Sequence, residues 1–464
     1  MSSNLSNELP ISVGLDLGTS KVCALVTSPN TDDDTLRILG IGIAESEGLN
    51  RGVVVNIEKT IRSIKKVIEQ AEQQSGIKIK EVTVGIAGDH IDSIKTRGII
   101  GISNNEQEIT QADVDRLLSD ASKIAIPSER QILHVIPEEF IIDGQDGITD
   151  PIGMSGIRLE AQVNIITGLK TAINNIHRCV ERLGIKVKDV ILEPIASSKS
   201  VLLEAEKEIG VAIVDIGGGT TDVAIFHEGI YKFTSVFALA GKHVTDDVRT
   251  VLGIVNSQAE KIKRDYGHCY QSSIMNDDVF MVPGIGGRKP MEIKKSQLCE
   301  IIEPRMRELF EFALAEIHRS GFADKLGAGV VVTGGTTLLN GTEDLAREVF
   351  GMPVKIGIPT NLTYSGLAPE VGSPIYATSV GLALNNIEDL KTQIIEDNTD
   401  FTEEVIKEDN VQEKEENIEA EEIVKSKKLL SIMEKAKLKR AKKEKSEGEN
   451  TSGFNRIRKF IEEL

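Results

Sequence analysis

Hydrophobic positions fall in short blocks along most of the chain. Val13–Leu17, Val22–Val26, Ala212–Ile216, Val223–Phe226 and Val330–Thr333 are mainly apolar runs, the first, third and fifth running into glycine, and they predict buried strands. Thr110 stands where it can cap a helix through Gln111–Arg116, and Gln131–Ile142 reads as a further strand. Strands, glycine turns and helical stretches alternate in this way to about Leu384, the pattern of an α/β protein. The pattern changes near residue 386, where glycines thin out. Residues 396–424 are rich in acid and 425–445 in lysine. Such blocks cannot bury enough apolar surface to offset chain entropy, so 386–451 reads as a charged, disordered linker. Periodicity returns at 452–464. At ~100° per residue, Phe454, Ile457, Phe460, Ile461 and Leu464 fall within about 120°, with Arg456, Arg458 and Lys459 outside that arc.

One motif occurs twice. Gly14-Leu15-Asp16-Leu17-Gly18-Thr19-Ser20-Lys21 and Val214-Asp215-Ile216-Gly217-Gly218-Gly219-Thr220-Thr221-Asp222 both run strand, carboxylate, glycine turn with hydroxyls, strand. The repetition predicts a duplicated core. Glycine lets successive backbone N–H groups approach one anion, and the hydroxyls add donors. A carboxylate beside such a nest would repel phosphate unless a cation lay between, and Mg²⁺ bridges acids to phosphates through its waters. Asp16 and Asp215 are therefore candidate Mg²⁺-positioning groups, acting through water. Gly18, Thr19, Ser20 and Lys21 form one candidate phosphate clamp, and Gly217, Gly218, Gly219, Thr220 and Thr221 the other. Thr220 and Thr221 are the candidate neighbours of a terminal phosphate. A third turn, Thr333-Gly334-Gly335-Thr336, follows a strand and permits close approach to a base or sugar. No Walker A pattern, G-x-G-x-x-G fingerprint or G-x-S-x-G elbow occurs, which argues against P-loop, Rossmann and α/β-hydrolase chemistry.

Composition narrows the field further. The 464 residues carry 54 Lys plus Arg against 72 Asp plus Glu, a net charge of −18, which argues against a general nucleic-acid binder. The four cysteines are scattered and the seven histidines show no zinc spacing, so neither a disulfide scaffold nor a zinc site is expected. No apolar run approaches the ~18 residues of a membrane span, and MSSNLSNELP lacks the order of a secretory signal. The expectation is a protein that is soluble or attached to a membrane only at its surface. The terminal amphipathic segment suits the plane of an anionic bilayer through Phe454, Ile457, Arg458, Lys459, Phe460, Ile461 and Leu464. The alternative is docking on its own globular part or on a partner. The Lys-rich 425–445 stretch either adds attraction to acidic lipids or is a solvated tether.

The two Asp-Gly hairpins and the Gly-Gly turn resemble the actin / Hsp70 / sugar-kinase superfamily. Leu192-Glu193-Pro194-Ile195-Ala196 and Gly372-Ser373-Pro374-Ile375-Tyr376-Ala377 are similar to its two inter-lobe connections, and Ala259-Glu260-Lys261-Ile262-Lys263 to its ribose- and adenine-binding helix. From spacing alone Glu260 and Lys263 read as a surface ion pair; the resemblance makes them, with Gly334, Gly335 and Thr336, nucleotide contacts. Gly48–Val54, Ile132-Leu133-His134-Val135-Ile136-Pro137, Tyr266-Gly267 and Ile302-Glu303-Pro304-Arg305 narrow the resemblance to the FtsA family of bacterial cell-division proteins, over residues 11–385 and the final helix.

The resemblance implies a duplicated actin-like (ribonuclease-H-like) α/β fold in two lobes. The lobe 1 core would occupy 11–88 and 168–203, with a 1C-type subdomain inserted at 89–167. The lobe 2 core would occupy 204–241 and 326–385, the latter with the return connection, around an outer subdomain at 242–325. A linker (386–451) and a membrane-targeting helix (452–464) would follow. It further implies ATP and Mg²⁺ as cofactors, at most slow hydrolysis with Glu193 placing the water, and polymerisation into filaments. Implied partners are the C-terminal tail of FtsZ, anionic lipids and later division proteins, at the cytoplasmic face of the inner membrane. In that family the tail typically carries acidic and apolar residues, so Arg288, Lys294 and Arg305 are candidate receptors for it or solvated surface cations. The rival readings are a pilus-assembly relative with the same insert, a sugar-kinase-type phosphotransferase and an Hsp70-like chaperone. The charged tail cannot supply the substrate domain of the last.

Overall fold

The computed structural model describes residues 10–30, 35–103, 107–284, 289–360, 362–363 and 366–385. The linker, the terminal segment with its seven proposed lipid contacts, and Arg288 lie outside the described residues.

Lobe 1 begins with β1 (Ser12–Leu17), β2 (Lys21–Pro29), β3 (Leu36–Glu45), the short β4 (Leu49–Asn50) and β5 (Val53–Val54), α1 (Ile57–Ser75) and β6 (Glu81–Ile86). Asn56 starts α1 by accepting the Lys59 N–H at 3.0 Å, and Gly76 ends it at φ 71°. The inserted subdomain follows, with β7 (Asp92–Gly101), α2 (Gln111–Ala121), β8 (Arg130–Ile142), β9 (Gln145–Ile148) and β10 (Arg158–Leu169). Thr110 caps α2 as its sequence predicts, in a reciprocal box with Asp113. The chain returns to lobe 1 through α3 (Lys170–Glu181), β11 (Lys186–Leu192) and α4 (Glu193–Val201), then crosses by α5 (Glu204–Ile209).

Lobe 2 opens with β12 (Val211–Ile216), β13 (Thr221–His227) and β14 (Ile230–Phe237). Its outer part holds α6 (Gly241–Leu252), α7 (Asn256–Tyr266), the hairpin β15 (Val279–Val282) and β16 (Met291–Lys294), and α8 (Lys295–Arg319). β17 (Val330–Thr333), α9 (Thr342–Phe350), β18 (Val354–Ile356), α10 (Ala368–Val371) and α11 (Ala377–Leu384) complete it, α11 packing back on β1 and α4.

The duplication is visible in the sheets. Lobe 1 has the order β11-β6-β1-β2-β3 and lobe 2 the order β14-β13-β12-β17-β18, the same sequence of steps read from the opposite edge. In each, the first three strands are antiparallel neighbours and the last two pair in parallel. Asp16 and Asp215 therefore occupy the same place, one residue before the end of the first strand of each sheet. The inserted subdomain is a separate sheet, β7-β10-β8-β9, with its own core of Ile100, Leu117, Leu159, Val163 and Ile165. Between the lobes, Ile166 and Leu192 from one side meet Ile213, Ala224, Phe226 and Tyr231 from the other.

Candidate functional site: the cleft between the two lobes

The two glycine turns of the duplicated hairpins face each other. A Cβ on Gly218 would strike the Ser20 side chain, and one on Gly219 the Thr19 side chain, so neither position accepts any other residue at this approach. The Thr336 hydroxyl donates to the Gly217 carbonyl at 2.8 Å, which ties the third glycine turn to the second. Gly334, at φ 90°, lies against Asp215 and the Ile216 carbonyl, where a Cβ has no room. Gly335 is the next residue of that turn, with Ile375 as its neighbour. Gly18 and Lys21 lie together at the mouth of the first hairpin.

Four carboxylates converge beneath these turns. Asp16 is buried, accepts from Ser379 Oγ at 3.2 Å, and pairs with the Lys21 ammonium. Asp215 accepts from Ser197 Oγ at 2.7 Å and Thr378 Oγ1 at 3.3 Å, hydroxyls carried by α4 and α11. Burial pushes the Asp215 carboxyl up, partly offset by the Ser197 bond. Glu193, the first residue of α4, is pushed well up by burial and then by Asp16, Asp222 and Asp215. Asp222 is driven up by burial and by Asp215, its direct partner across the β12–β13 hairpin. Burial works against the Lys21 charge, but Asp16 beside it more than compensates and raises its pKa. Among the described residues Lys21 is the cation paired into this cluster, through Asp16, and the Asp222 Oδ1 atom is buried without a hydrogen-bond partner. A cluster of this kind is relieved by a divalent cation, and the glycine turns above it supply anion donors. The residues fit Mg²⁺ with a polyphosphate.

The structure brings together Asp16, Gly18, Thr19, Ser20, Lys21, Glu193, Gly217, Gly218, Gly219, Thr220, Gly334 and Thr336. Thr221 departs from its expected place. It begins β13, so strand alternation turns it to the face opposite Asp222, and its buried hydroxyl donates to the Leu239 carbonyl at 2.7 Å. Asp222 takes the cleft-facing position and was not singled out from sequence. Its signal was available, because a four-residue turn after Ile216 pairs Asp222 with Asp215. Glu260 and Lys263 form the ion pair that their spacing allows, at 2.7 Å. That pair is not a loose surface one: the buried Lys263 ammonium also donates to Thr245 Oγ1 at 2.9 Å and to the Gly241 carbonyl at 3.0 Å. Gly241 in turn donates its N–H to the Gly217 carbonyl at 3.1 Å, so the α7 pair is linked to the phosphate-clamp turn.

A separate cavity of about 950 Å³ lies in the outer part of lobe 2, lined by Val251, Leu252, Met291, Ile293, Ile301 and Pro304 with acids at its rim. Arg305 also lines it, but is not the free cation its sequence position suggested. Asp247 (2.6 Å) and Glu308 hold its guanidinium. Lys294 is half exposed, 3.8 Å from Asp277 and one residue beyond the lining Ile293.

Two equivalent sheets around an acidic cleft, with a subdomain inserted in the first, define an actin-like two-lobed fold. Solved structures share it. A chain of the PilM–PilN type IV pilus biogenesis complex has a TM-score of 0.59 at 16% identity, covering 81% of this chain and 98% of that one. MreB 5 of Spiroplasma citri bound to AMPPNP has a TM-score of 0.50 at 17% identity, covering 84% and 99%. The family is more specific. Residues 212–381 match the family described as cell division protein FtsA, and 88–167 the SHS2 domain inserted in FtsA. Cell division protein FtsA of Pseudomonas aeruginosa is 45% identical over 376 residues, covering 81% of this chain and 89% of the relative. FtsA of Escherichia coli K12 is 39% identical over 377 residues, covering 80% and 89%. The Bacillus subtilis protein is 38% identical over 377 residues, covering 81% and 83%. The chain belongs to the FtsA family of cell-division proteins, and the pilus-assembly and sugar-kinase readings are not favoured.

Proposed function

We propose that the chain binds Mg·ATP in the interlobe cleft and, in that state, polymerises into filaments that tether the FtsZ ring to the membrane. One observation carries the nucleotide part: glycine turns from both lobes close over Asp16, Asp215, Asp222 and Glu193, with one lysine to balance them. Asp16 and Asp215 would hold the cation, and Gly18–Lys21 and Gly217–Thr220 would receive the phosphates. Glu260 and Lys263 would hold the sugar, and Gly334, Gly335 and Thr336 would contact the base. When bound, the cation would supply charge neutralisation, and the chain's own residues bind and orient the phosphates. Glu193, whose carboxyl is pushed well up by burial and then by its acidic neighbours, is the candidate for placing a water, and turnover is slow at most.

The FtsZ tail is assigned to the cavity in lobe 2. Its apolar lining suits the tail's apolar residues. Pro304, inside α8, has no N–H, so the Glu300 carbonyl one turn back lacks its helical donor and is open to a docking backbone. Lys294 stands at the edge for an acidic residue. At the membrane, residues 452–464 are assigned the anchor. A single short amphipathic helix binds weakly, and a filament presents many. Among the described residues no helix is long and apolar enough to cross a membrane. Later division proteins are assigned to the same assembly.

The test is electron microscopy of the purified chain on an anionic lipid monolayer, with and without ATP, adding FtsZ second. Filaments that need ATP, lipid and residues 452–464, and that recruit FtsZ, support the reading. ATP-independent aggregates, or filaments unable to recruit FtsZ, overturn it.

A further inference from the structure

The motif Ile132–Pro137 lies in β8 of the inserted subdomain, and the proposed function leaves it unused. Its histidine reaches out of that subdomain. His134 Nε2 accepts the backbone N–H of Leu192 at 3.0 Å, 58 residues away in sequence. Leu192 ends β11, an edge strand of the lobe 1 sheet, so this N–H has no strand to receive it on that side. Leu192 is also the N-cap residue of α4, where no side chain of its own makes the cap bond. The next residue is Glu193, one of the four cleft carboxylates. A side chain from the insert thus completes the backbone turn that presents Glu193.

The imidazole is suited to this use. It is partly buried, and burial, then Lys199 on α4, push its pKa down to about 4. The ring is therefore neutral near neutral pH, with Nε2 free to accept and its proton on Nδ1. Nearby, the same two insert strands touch the edge strand of the other lobe. Asn164 on β10 donates to the Lys232 carbonyl at 3.3 Å, and Lys232 on β14 donates to the Glu138 carbonyl of β8 at 3.4 Å. On the lobe 1 side the corresponding link is the His134–Leu192 bond itself, while Arg130 at the start of β8 braces the insert internally by donating to Thr167 Oγ1 at 2.9 Å and to the His90 carbonyl at 2.8 Å. The insert is therefore bonded to the edges of both lobes, and a change in their separation must strain or move β8.

We propose that His134 is a positioning residue for Glu193, through which the inserted subdomain is mechanically coupled to the interlobe cleft. The inference rests on the reading of that cleft as the nucleotide site. A neighbour that displaces β8 displaces Leu192–Glu193, and a ligand that re-sets Glu193 is felt in β8.

The test uses the full chain and two variants. His134→Leu keeps bulk and removes the acceptor; His134→Gln keeps an acceptor oxygen close to the Nε2 position. Amide exchange is measured over 189–197 and 130–142, without nucleotide and with Mg·ATP. Without nucleotide, His134→Leu speeds exchange in 189–197 by tenfold or more and His134→Gln restores it. With Mg·ATP, the wild type and His134→Gln change exchange in 130–142, while His134→Leu binds the nucleotide within about threefold of wild type and shows no such change. The proposal is overturned if His134→Leu exchanges like wild type over 189–197, if its β8 response to Mg·ATP persists, or if folded His134→Gln behaves like His134→Leu. A wild type that binds Mg·ATP with no response in 130–142 overturns it as well. A wild type that binds no Mg·ATP sinks the cleft reading instead, and the nucleotide-free comparison then still decides whether His134 holds Leu192.

Discussion

Ser197→Ala probes whether the hydroxyls around the cleft serve the cation site or only the fold. Ser197 is fully buried on α4, and its Oγ donates to Asp215 Oδ2 at 2.7 Å. A hydrogen bond to a neutral acceptor contributes about 0.5–1.5 kcal/mol and one to a charged group about 1.5–3 kcal/mol. The bond is therefore worth about 1–2 kcal/mol more when Asp215 is ionised, the form a cation requires. Thr378 keeps only a longer contact, 3.3 Å, to the same oxygen. At about 1.4 kcal/mol per tenfold, Ser197→Ala should weaken Mg·ATP binding about 5–30-fold, read by displacement of a fluorescent ATP analogue. Ser200→Ala is the control. Its hydroxyl donates to the Ser197 carbonyl at 3.0 Å and the Ala377 carbonyl at 2.6 Å, joining α4 to α11 without touching a carboxylate. It should lower thermal stability yet leave affinity within about twofold. Equal losses of affinity in the two variants, or none in Ser197→Ala, would refute the reasoning.

Asp222→Asn should raise the melting temperature of the nucleotide-free chain, because it removes a buried carboxylate that Asp215 repels, while weakening Mg·ATP binding; calorimetric scans with and without nucleotide check both signs. Arg305→Ala should weaken binding of an FtsZ tail peptide by tenfold or more in anisotropy titrations, since Asp247 and Glu308 would be left to repel an acidic tail. His134 makes a pH prediction. Its folded pKa of about 4 lies below the ordinary 6.5, so between those values the unfolded chain binds the extra proton and stability falls as pH falls. At about 1.36 kcal/mol per unit, wild type should lose about 2 kcal/mol relative to His134→Gln between pH 7 and pH 5, measured by urea unfolding. No difference between the two proteins across that range would mean the ring is not held neutral.

Local patterns carried much of this architecture. The Asp-Gly hairpins were readable because each is a single turn between adjacent strands, and the structure places Asp16 and Asp215 at equivalent ends of duplicated sheets. The cap at Thr110 was readable for the same reason, since Asp113 lies three residues away. Thr221 was misread because a glycine turn does not reveal which of two consecutive β13 side chains faces the cleft; the register with Asp215 does, and it selects Asp222. Contacts distant in sequence were illegible. Nothing local tells that Arg305 will be held by Asp247, 58 residues earlier, or that Ser197 and Thr378 will share the Asp215 carboxylate. The His134–Leu192 bond belongs to the same class, because it exists only once the insert has packed on the edge of lobe 1.

The central claim is that the acids and glycine turns of the cleft hold one Mg·ATP. Titration calorimetry of ATP into the full chain tests it directly, with Mg²⁺ present and with it chelated. The account predicts saturable one-to-one binding that collapses without Mg²⁺ and is lost in Asp215→Ala. Folded protein that takes up no ATP at millimolar concentration, or takes it up equally without Mg²⁺ and in Asp215→Ala, contradicts it.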